Sequence, residues 1–363
     1  MTDRELLALH RDIVAIPSVS GEEARLCEHL TRVLAARGVE TERVGDNLLA
    51  ACGSGPVLCL NSHLDTVPPA PGWTRPPHAV EVVGGRVHGL GSNDAKASVA
   101  AMTAAFLRLR ERRQPPGARL LLALTAREET GGGGAEILVG ELDRRGLRPG
   151  AVVVGEPTGL DVAVAQKGLL VLELVAAGRA CHAAHRCALG APNAIDALAR
   201  DLVAIQDVDL GPEDALLGPV TVEPTMARAG TARNMIPAEA SAILDVRTNP
   251  EPGPREIVER LRAVVSGDLR VLSERLRPCA IAVDHPLARA ALASRPRARA
   301  IGSRGVSDLV FFRDVPGVKA GPGETGRSHA PDEFVLESEI LEGAAFYESL
   351  ALRARDFLAE AAP

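Results

Sequence analysis

The segment Leu120-Leu121-Leu122-Ala123-Leu124-Thr125-Ala126-Arg127-Glu128-Glu129 decides how the rest of this chain is read. Leu120 to Ala126 is strand-length and carries no charge. A run without polar alternation fits a strand covered on both faces, as in a parallel sheet. It ends on two adjacent carboxylates. Working outward, the same arrangement recurs: Val57–Leu60 runs into Asn61, Ser62, His63, Leu64 and Asp65, and Ala151–Val154 runs into Gly155, Glu156, Pro157 and Thr158. Near the C-terminus, Val318–Ala320 leads to a loop over Gly321–His329.

Helical signals alternate with these strands. Thr2 with Glu5 and Ser20 with Glu23 form capping-box patterns, the second opening a helix that Gly38 closes. Small and apolar residues recur at helical spacing from Asp94 to about Arg113, which makes Asp94 the N-terminal residue of a packed helix, and a last helix starts near Leu336. Val80–Val83 and Arg86–Leu90, separated by Gly84 and Gly85, read as a hairpin. The fold class is therefore α/β, a mostly parallel sheet with flanking helices. In such sheets ligands gather beyond the carboxyl ends of the strands.

Between about Gly168 and Arg277 the texture changes. Leu169–Ala176, Val220–Ala227 and Ser241–Arg247 read as strands, with helices near Pro192–Ile205 and Pro254–Val265. The expected organisation is one domain built from residues 1–167 and 278–363, with an α+β domain, 168–277, inserted into it.

Composition narrows the function. The 363 residues carry 41 basic and 47 acidic side chains, for a net charge of −6, which leaves no basic surplus for a nucleic acid backbone. Only Lys96, Lys167 and Lys319 are lysines. No apolar run approaches the ~20 residues of a membrane-spanning helix, and the first residues lack the apolar core of a secretory signal. The six cysteines include no CxxC pair, which favours reduced thiols. A cytoplasmic location, with no nucleic acid or membrane as partner, is the expectation.

The chemistry-bearing residues stand at the predicted strand ends. His63 and Asp65 are two apart, so extended backbone puts both on one face, where the carboxylate could hold the imidazole for a metal. Alone, the triplet fits a solvated pair better. Glu128 and Glu129 repel each other and call for a cation or solvent; one could bind metal while the other acts as base and then acid. A solvated loop pair is the plain alternative, with Gly131–Gly134 a mere flexible turn. Asp94 could simply cap its helix, and Glu156 could lie in a surface turn. The conjunction of His63, Asp94, Glu129, Glu156 and His329 at element ends is what favours a metal centre. Two histidines and three carboxylates suit two zinc ions if one carboxylate bridges, and Asp94 is the expected bridge. Paired metals acidify water and polarise a carbonyl, the requirement for amide hydrolysis without a side-chain nucleophile. No GxSxG elbow, P-loop or HExxH helix competes.

At these residues the chain resembles the co-catalytic zinc aminoacylase and deacetylase family that includes acetylornithine deacetylase, succinyl-diaminopimelate desuccinylase and carboxypeptidase G. The matching segments are 62–68, 89–96, Thr125–Thr130, Gly155-Glu156-Pro157-Thr158 and Ser328-His329-Ala330-Pro331-Asp332-Glu333. The resemblance implies a zinc exopeptidase-like catalytic domain and two zinc ions, with cobalt able to replace them. His63, Asp94 and Glu156 would hold one metal, and His329, Asp94 and Glu129 the other. Glu128 would be the general base, with Asp65 behind His63. It further implies that the inserted domain is a lid through which the chain forms a homodimer, and that His182, in Gly178–Ala183, stabilises the oxyanion in the partner's site. Asn234 and Arg247 match lid segments that meet substrate. A guanidinium suits an α-carboxylate; without the resemblance, Arg247 fits a surface ion pair equally well.

The implied reaction is removal of an N-acyl group from a small amino acid. Gly91-Ser92-Asn93-Asp94, Gln166–Leu169 and Leu216–Val220 look most like the acetylornithine deacetylase branch of arginine biosynthesis. Succinylornithine, acetylcitrulline and acetyllysine remain alternative substrates. A dipeptidase or carboxypeptidase is the enzymatic rival, and a metal-site relic kept as a binding module is the non-enzymatic one.

Overall fold

The computed structural model describes residues 1–112 and 117–358. The chain divides into two compact units, one made of Met1–Val164, Ile281–Ile301 and Ser307–Pro363, the other of Ala165–Ala280 and Gly302–Val306.

In the first unit the sheet runs in the order Thr41–Val44, Asn47–Cys52, Arg119–Thr125, Val57–His63, Ala151–Val154, Gly317–Lys319 and Val162–Gln166. Its four central strands, from Arg119–Thr125 to Gly317–Lys319, are parallel. The outer pairings are antiparallel. Leu120, Leu122 and Leu124 on one face and Leu121 and Ala123 on the other are all buried. That is why this strand shows no alternation. Burying each leucine contributes about 1.5–3 kcal/mol before the entropy of ordering it.

The register sets the site. His63 pairs with Thr125, Asn61 with Val154, and Lys319 with Val154, so these four strands stop within two residues of one level and release their following residues on the same side. The helix Lys96–Glu111, alanine-rich and buried almost all round, packs against Glu337–Leu352. Small side chains allow that close approach. Gly155 is part of the same fit: a Cβ there would meet Ser98 at 2.7 Å and Met102 at 2.8 Å.

Several local expectations change in detail. The N-terminal capping box of Thr2 and Glu5 forms. The one expected at Ser20 and Glu23 does not: the helix starts at Ala24 with no side-chain cap. Ser20 instead donates to Asp65 Oδ2 at 2.6 Å, and Glu23 accepts from the amides of Gly21 and Arg127 at 2.9 and 3.0 Å. A buried carboxylate and a strained turn compete for these groups and win. Gly38 does close the helix region, with φ +68 and the amide of Val39 donating back to Leu34. Asp94 is not the first residue of its helix, which begins at Lys96 after Ala95; Arg113, near its expected end, lies outside the described residues. The hairpin forms as Glu81–Val83 and Arg86–His88, with Gly84 and Gly85 both at positive φ, and Phe334–Leu336 adds a third strand.

The second unit has a four-stranded antiparallel sheet in the order Thr221–Ala229, Glu239–Thr248, Gly168–Ala177 and Asp268–Leu276. Its helices Ala194–Gln206 and Pro254–Arg262 share a core with the inward residues Leu170, Leu172, Leu174, Leu244 and Val246. The Asp268–Leu276 strand was not expected. It is an edge strand, largely exposed and rich in charge, so burial left no alternation in it to read.

Among the described residues no helix is long and apolar enough to cross a membrane.

Candidate metal centre

Five side chains brought by separate segments of the first unit converge. His63 ends its strand and is 1% exposed. Its Nδ1 lies 3.0 Å from the carbonyl of Asp65, and since a carbonyl only accepts, Nδ1 carries the proton. Nε2 is thereby turned toward Asp94 Oδ1 at 3.1 Å and Glu156 Oε1 at 3.8 Å. On the other side, His329 Nε2 lies 2.9 Å from Glu129 Oε1 and 3.8 Å from Asp94 Oδ2. The two oxygens of Asp94 thus face two different imidazoles. Ligand atoms of His63, Asp94 and Glu129 all fall within 4.8 Å of one another.

Asp65 meets His63 through two groups. Its backbone carbonyl, not its carboxylate, makes the short contact with His63; Oδ1 stands 3.6 Å from Nδ1. The carboxylate accepts instead from the amides of Glu128 and Glu129, at 3.0 and 3.1 Å, and from Ser20. Asp65 therefore anchors the backbone of the acidic pair as well as the imidazole.

That anchoring fits the local backbone. Arg127, just before the pair, has φ +59, and His329 has φ +59, a left-handed conformation that non-glycine residues adopt at a cost of order 1–3 kcal/mol. Ala126 donates to Asn47 Oδ1 and Arg127 to Glu23, so each amide of the turn from 126 to 129 is held by a side chain. Gly131–Gly134 is no loose linker. Gly132 sits at φ +70 as the first cap of the helix Gly133–Arg144, and a Cβ on Gly134 would strike the Ala126 carbonyl at 2.1 Å.

Two supporting groups had no role in the sequence reading. Glu333 is 3% exposed and accepts from the amides of Gly91, Asn93 and Asp94, each at 2.9 Å. Asn93 spans to the last loop, donating to the Glu324 carbonyl and Ser328 Oγ and accepting from the Glu324 amide. Glu333 and Asn93 both lie in segments matched by the resemblance, but the contacts between them span about 240 positions of chain, and no local pattern announces them. The Asp94–Ala95 peptide is cis.

The electrostatics are those of acids crowded around too few cations. Burial pushes the Glu128 carboxyl well above its usual range, with Glu156 adding to the rise. Burial likewise lifts Glu156 to about 7 against the pull of Lys319. The hydrogen bond to Glu129 raises His329 to about 9, and for His63 burial opposes charge while Asp65 and Asp94 more than offset it. Oxygen and imidazole donors facing one another in this way fit divalent cations of the zinc type, which would take the protons' place.

The remaining sequence candidates belong to the second unit. His182 is exposed, and its Nδ1 accepts from the Ala184 amide at 3.2 Å. Arg247 forms a forked pair with Asp245 at 2.7 and 3.0 Å. Asn234 is exposed, and its carbonyl accepts from the Ala183 amide.

Comparison with known proteins gives this arrangement a family. Residues 59–353 match the model of peptidase family M20/M25/M40. A succinyl-diaminopimelate desuccinylase of Rhodospirillum centenum is 31% identical, covering 96% of this chain and 96% of its own length. A peptidase M20 domain-containing protein of Schizosaccharomyces pombe is 30% identical over 96% of this chain and 84% of its own. Among solved structures, a dinuclear metal binding peptidase of the M20 family from Bacillus subtilis has the same fold, with a TM-score of 0.76 at 19% identity over 96% of this chain and 97% of that one. The chain belongs to the M20/M25/M40 peptidase family and is a metal-dependent hydrolase.

Proposed function

We propose that this hydrolase removes the acyl group from the α-nitrogen of a small N-acylated amino acid, with N-acetylornithine as its leading substrate and arginine biosynthesis as its setting. His63, Asp94 and Glu156 hold one zinc ion, and His329, Asp94 and Glu129 the other, with cobalt able to replace either. The observation that carries the reading is the orientation of Asp94, one oxygen toward each histidine. The bound metals supply Lewis acidity to a water and to the acyl carbonyl.

The chain's own groups do the rest. Glu128 takes a proton from the attacking water as its oxygen bonds to the acyl carbon, then returns it to the nitrogen as the C–N bond breaks. Asp65 holds the Glu128 and Glu129 amides in place. Residues 168–277 act as lid and dimerisation domain of a cytoplasmic homodimer. His182 stabilises the oxyanion across the dimer, and Asn234 and Arg247 meet the substrate, Arg247 by exchanging Asp245 for the α-carboxylate.

A panel of N-acetylornithine, N-succinylornithine, N-acetylcitrulline, N-acetyllysine and unblocked dipeptides, assayed with the metal-stripped protein and after adding zinc or cobalt, tests this. Highest kcat/KM on acetylornithine is expected. Preference for the succinyl, citrulline or lysine compounds would move the substrate within the deacylases, and preference for dipeptides would replace the reading with a dipeptidase or carboxypeptidase.

A further inference from the structure

We propose that Asp308 is a positioning residue of the hydrolytic reaction, tying down the turn that presents Glu128. The inference rests on the role given to Glu128 above. Asp308 opens the one-turn helix Asp308–Phe311 and is 1% exposed, far in the chain from every residue of the metal cluster except His329.

One of its oxygens bonds the start of the catalytic turn, and its helix packs against the end of it. Oδ2 accepts from Thr125 Oγ1 at 2.5 Å, and Thr125 is the last residue of the strand that leads into Glu128. The same hydroxyl accepts from Asn61 Nδ2 at 3.1 Å, which ties in the neighbouring strand beneath His63. At the far end, a Cβ added to Gly132 would collide with the Phe311 ring and lie 3.3 Å from Asp308 Oδ1. The Asp308–Phe311 helix is thus pressed against the end of the turn, and glycine is what allows it there. Between these two anchors stand Arg127, in its left-handed conformation, and the acidic pair.

Stability alone does not call for a carboxylate at this place. Oδ1 of Asp308 is buried without an ordinary hydrogen bond among the described residues, the Asn61 amide lying near the carboxylate, and leaving such an atom poorly satisfied is costly. An asparagine or serine would accept from Thr125 without burying a charge. What the carboxylate adds is a shorter, stronger bond to Thr125 than a neutral acceptor makes. The Glu128 side chain makes no hydrogen bond among the described residues, so its location is set by the turn beneath it.

The test compares Asp308→Ala and Asp308→Asn with the wild-type chain in two measurements. The first is amide hydrogen exchange of the metal-free protein. In Asp308→Ala the Glu128 and Glu129 amides should exchange about tenfold or more faster, the size expected for losing a hydrogen bond to a charged group, while Leu120–Leu124 stays protected. Asp308→Asn should restore most of that protection. The second is turnover on the best substrate of the panel. There kcat should fall about thirtyfold in Asp308→Ala and about threefold in Asp308→Asn, with KM and metal content little changed, since a displaced base affects the reaction more than binding.

Unchanged exchange at 128 and 129 in Asp308→Ala overturns the proposal. So does a loss of activity that follows metal loss or unfolding, or that Asp308→Asn fails to relieve. If the wild type itself hydrolysed no amide, the function assigned to Glu128 would fall, while the exchange measurement would still decide whether Asp308 holds the turn.

Discussion

The two halves of the proposed metal cluster use the same kinds of donor and differ in how the fold supports them. On the floor, His63 is 1% exposed, stands at the end of a central strand and has both ring nitrogens engaged. On the rim, the His329 side chain is 51% exposed and sits at positive φ in a loop held by Asn93. Asp94 faces both, and its backbone is fixed by Glu333. The lesson is that identical ligand chemistry does not make equal sites. The floor is preorganised by the sheet, whereas the rim depends on a loop that would meet part of its ordering cost on binding the proposed metal.

The largest expected effect lies between the halves. Glu128→Gln should lower kcat by about 1,000-fold while both metals stay bound, measured by steady-state kinetics and elemental analysis. Retained turnover would remove Glu128 from the role of base and leave the comparison with no chemistry at its centre.

Metal removal addresses the comparison directly. Stepwise chelation followed by metal analysis should take the rim ion first, and His329→Ala should still bind one equivalent tightly. His63→Ala should weaken both sites, because the freed space leaves Asp94 without its buried partner. Equal loss from both positions would show that burial does not order them.

A smaller effect is expected at Asp65, which supports both halves through the amides of Glu128 and Glu129. Asp65→Asn has one acceptor oxygen where three donors converge, and should cost about 10- to 100-fold in metal affinity or activity, in line with losing an outer support of a metal site. A titration showing wild-type affinity with wild-type kcat would confine Asp65 to packing.

The smallest concerns stability. Gly132→Ala places a methyl group against Phe311 and at φ +70, so thermal unfolding should show a loss of about 1–3 kcal/mol. An unchanged melting temperature would mean that the turn after Glu129 yields freely to the added methyl group.

Much of this was legible from residue order. Val57–Leu60, Leu120–Ala126 and Ala151–Val154 read as buried strands because all their side chains but the half-buried Val57 are buried, and the residues after them read as a site because polar groups at sheet ends have few other reasons to gather. Gly84 and Gly85 announced a tight turn, since few other residues tolerate their φ. Where sequence reasoning failed, a distant group had taken over a local one. Ser20 looked like a helix cap and serves Asp65. Asp94 looked like a helix start and is held outside the helix by Glu333. The edge strand Asp268–Leu276 left no periodic trace because little of it is buried.

By itself, then, the amino-acid order determined the α/β class, where along the chain the buried strands end and the stock of imidazoles and carboxylates released there, because strand burial and turn geometry are short-range and write their period into neighbouring residues. Only the tertiary structure decided which donor supports which. The bonds of Asp65 to the acidic pair, of Glu333 to the Asp94 loop and of Asp308 to Thr125 join residues 63 to 242 positions apart, and the direction of a buried carboxylate is settled by whichever unsatisfied amide or hydroxyl the packed chain brings within hydrogen-bond reach.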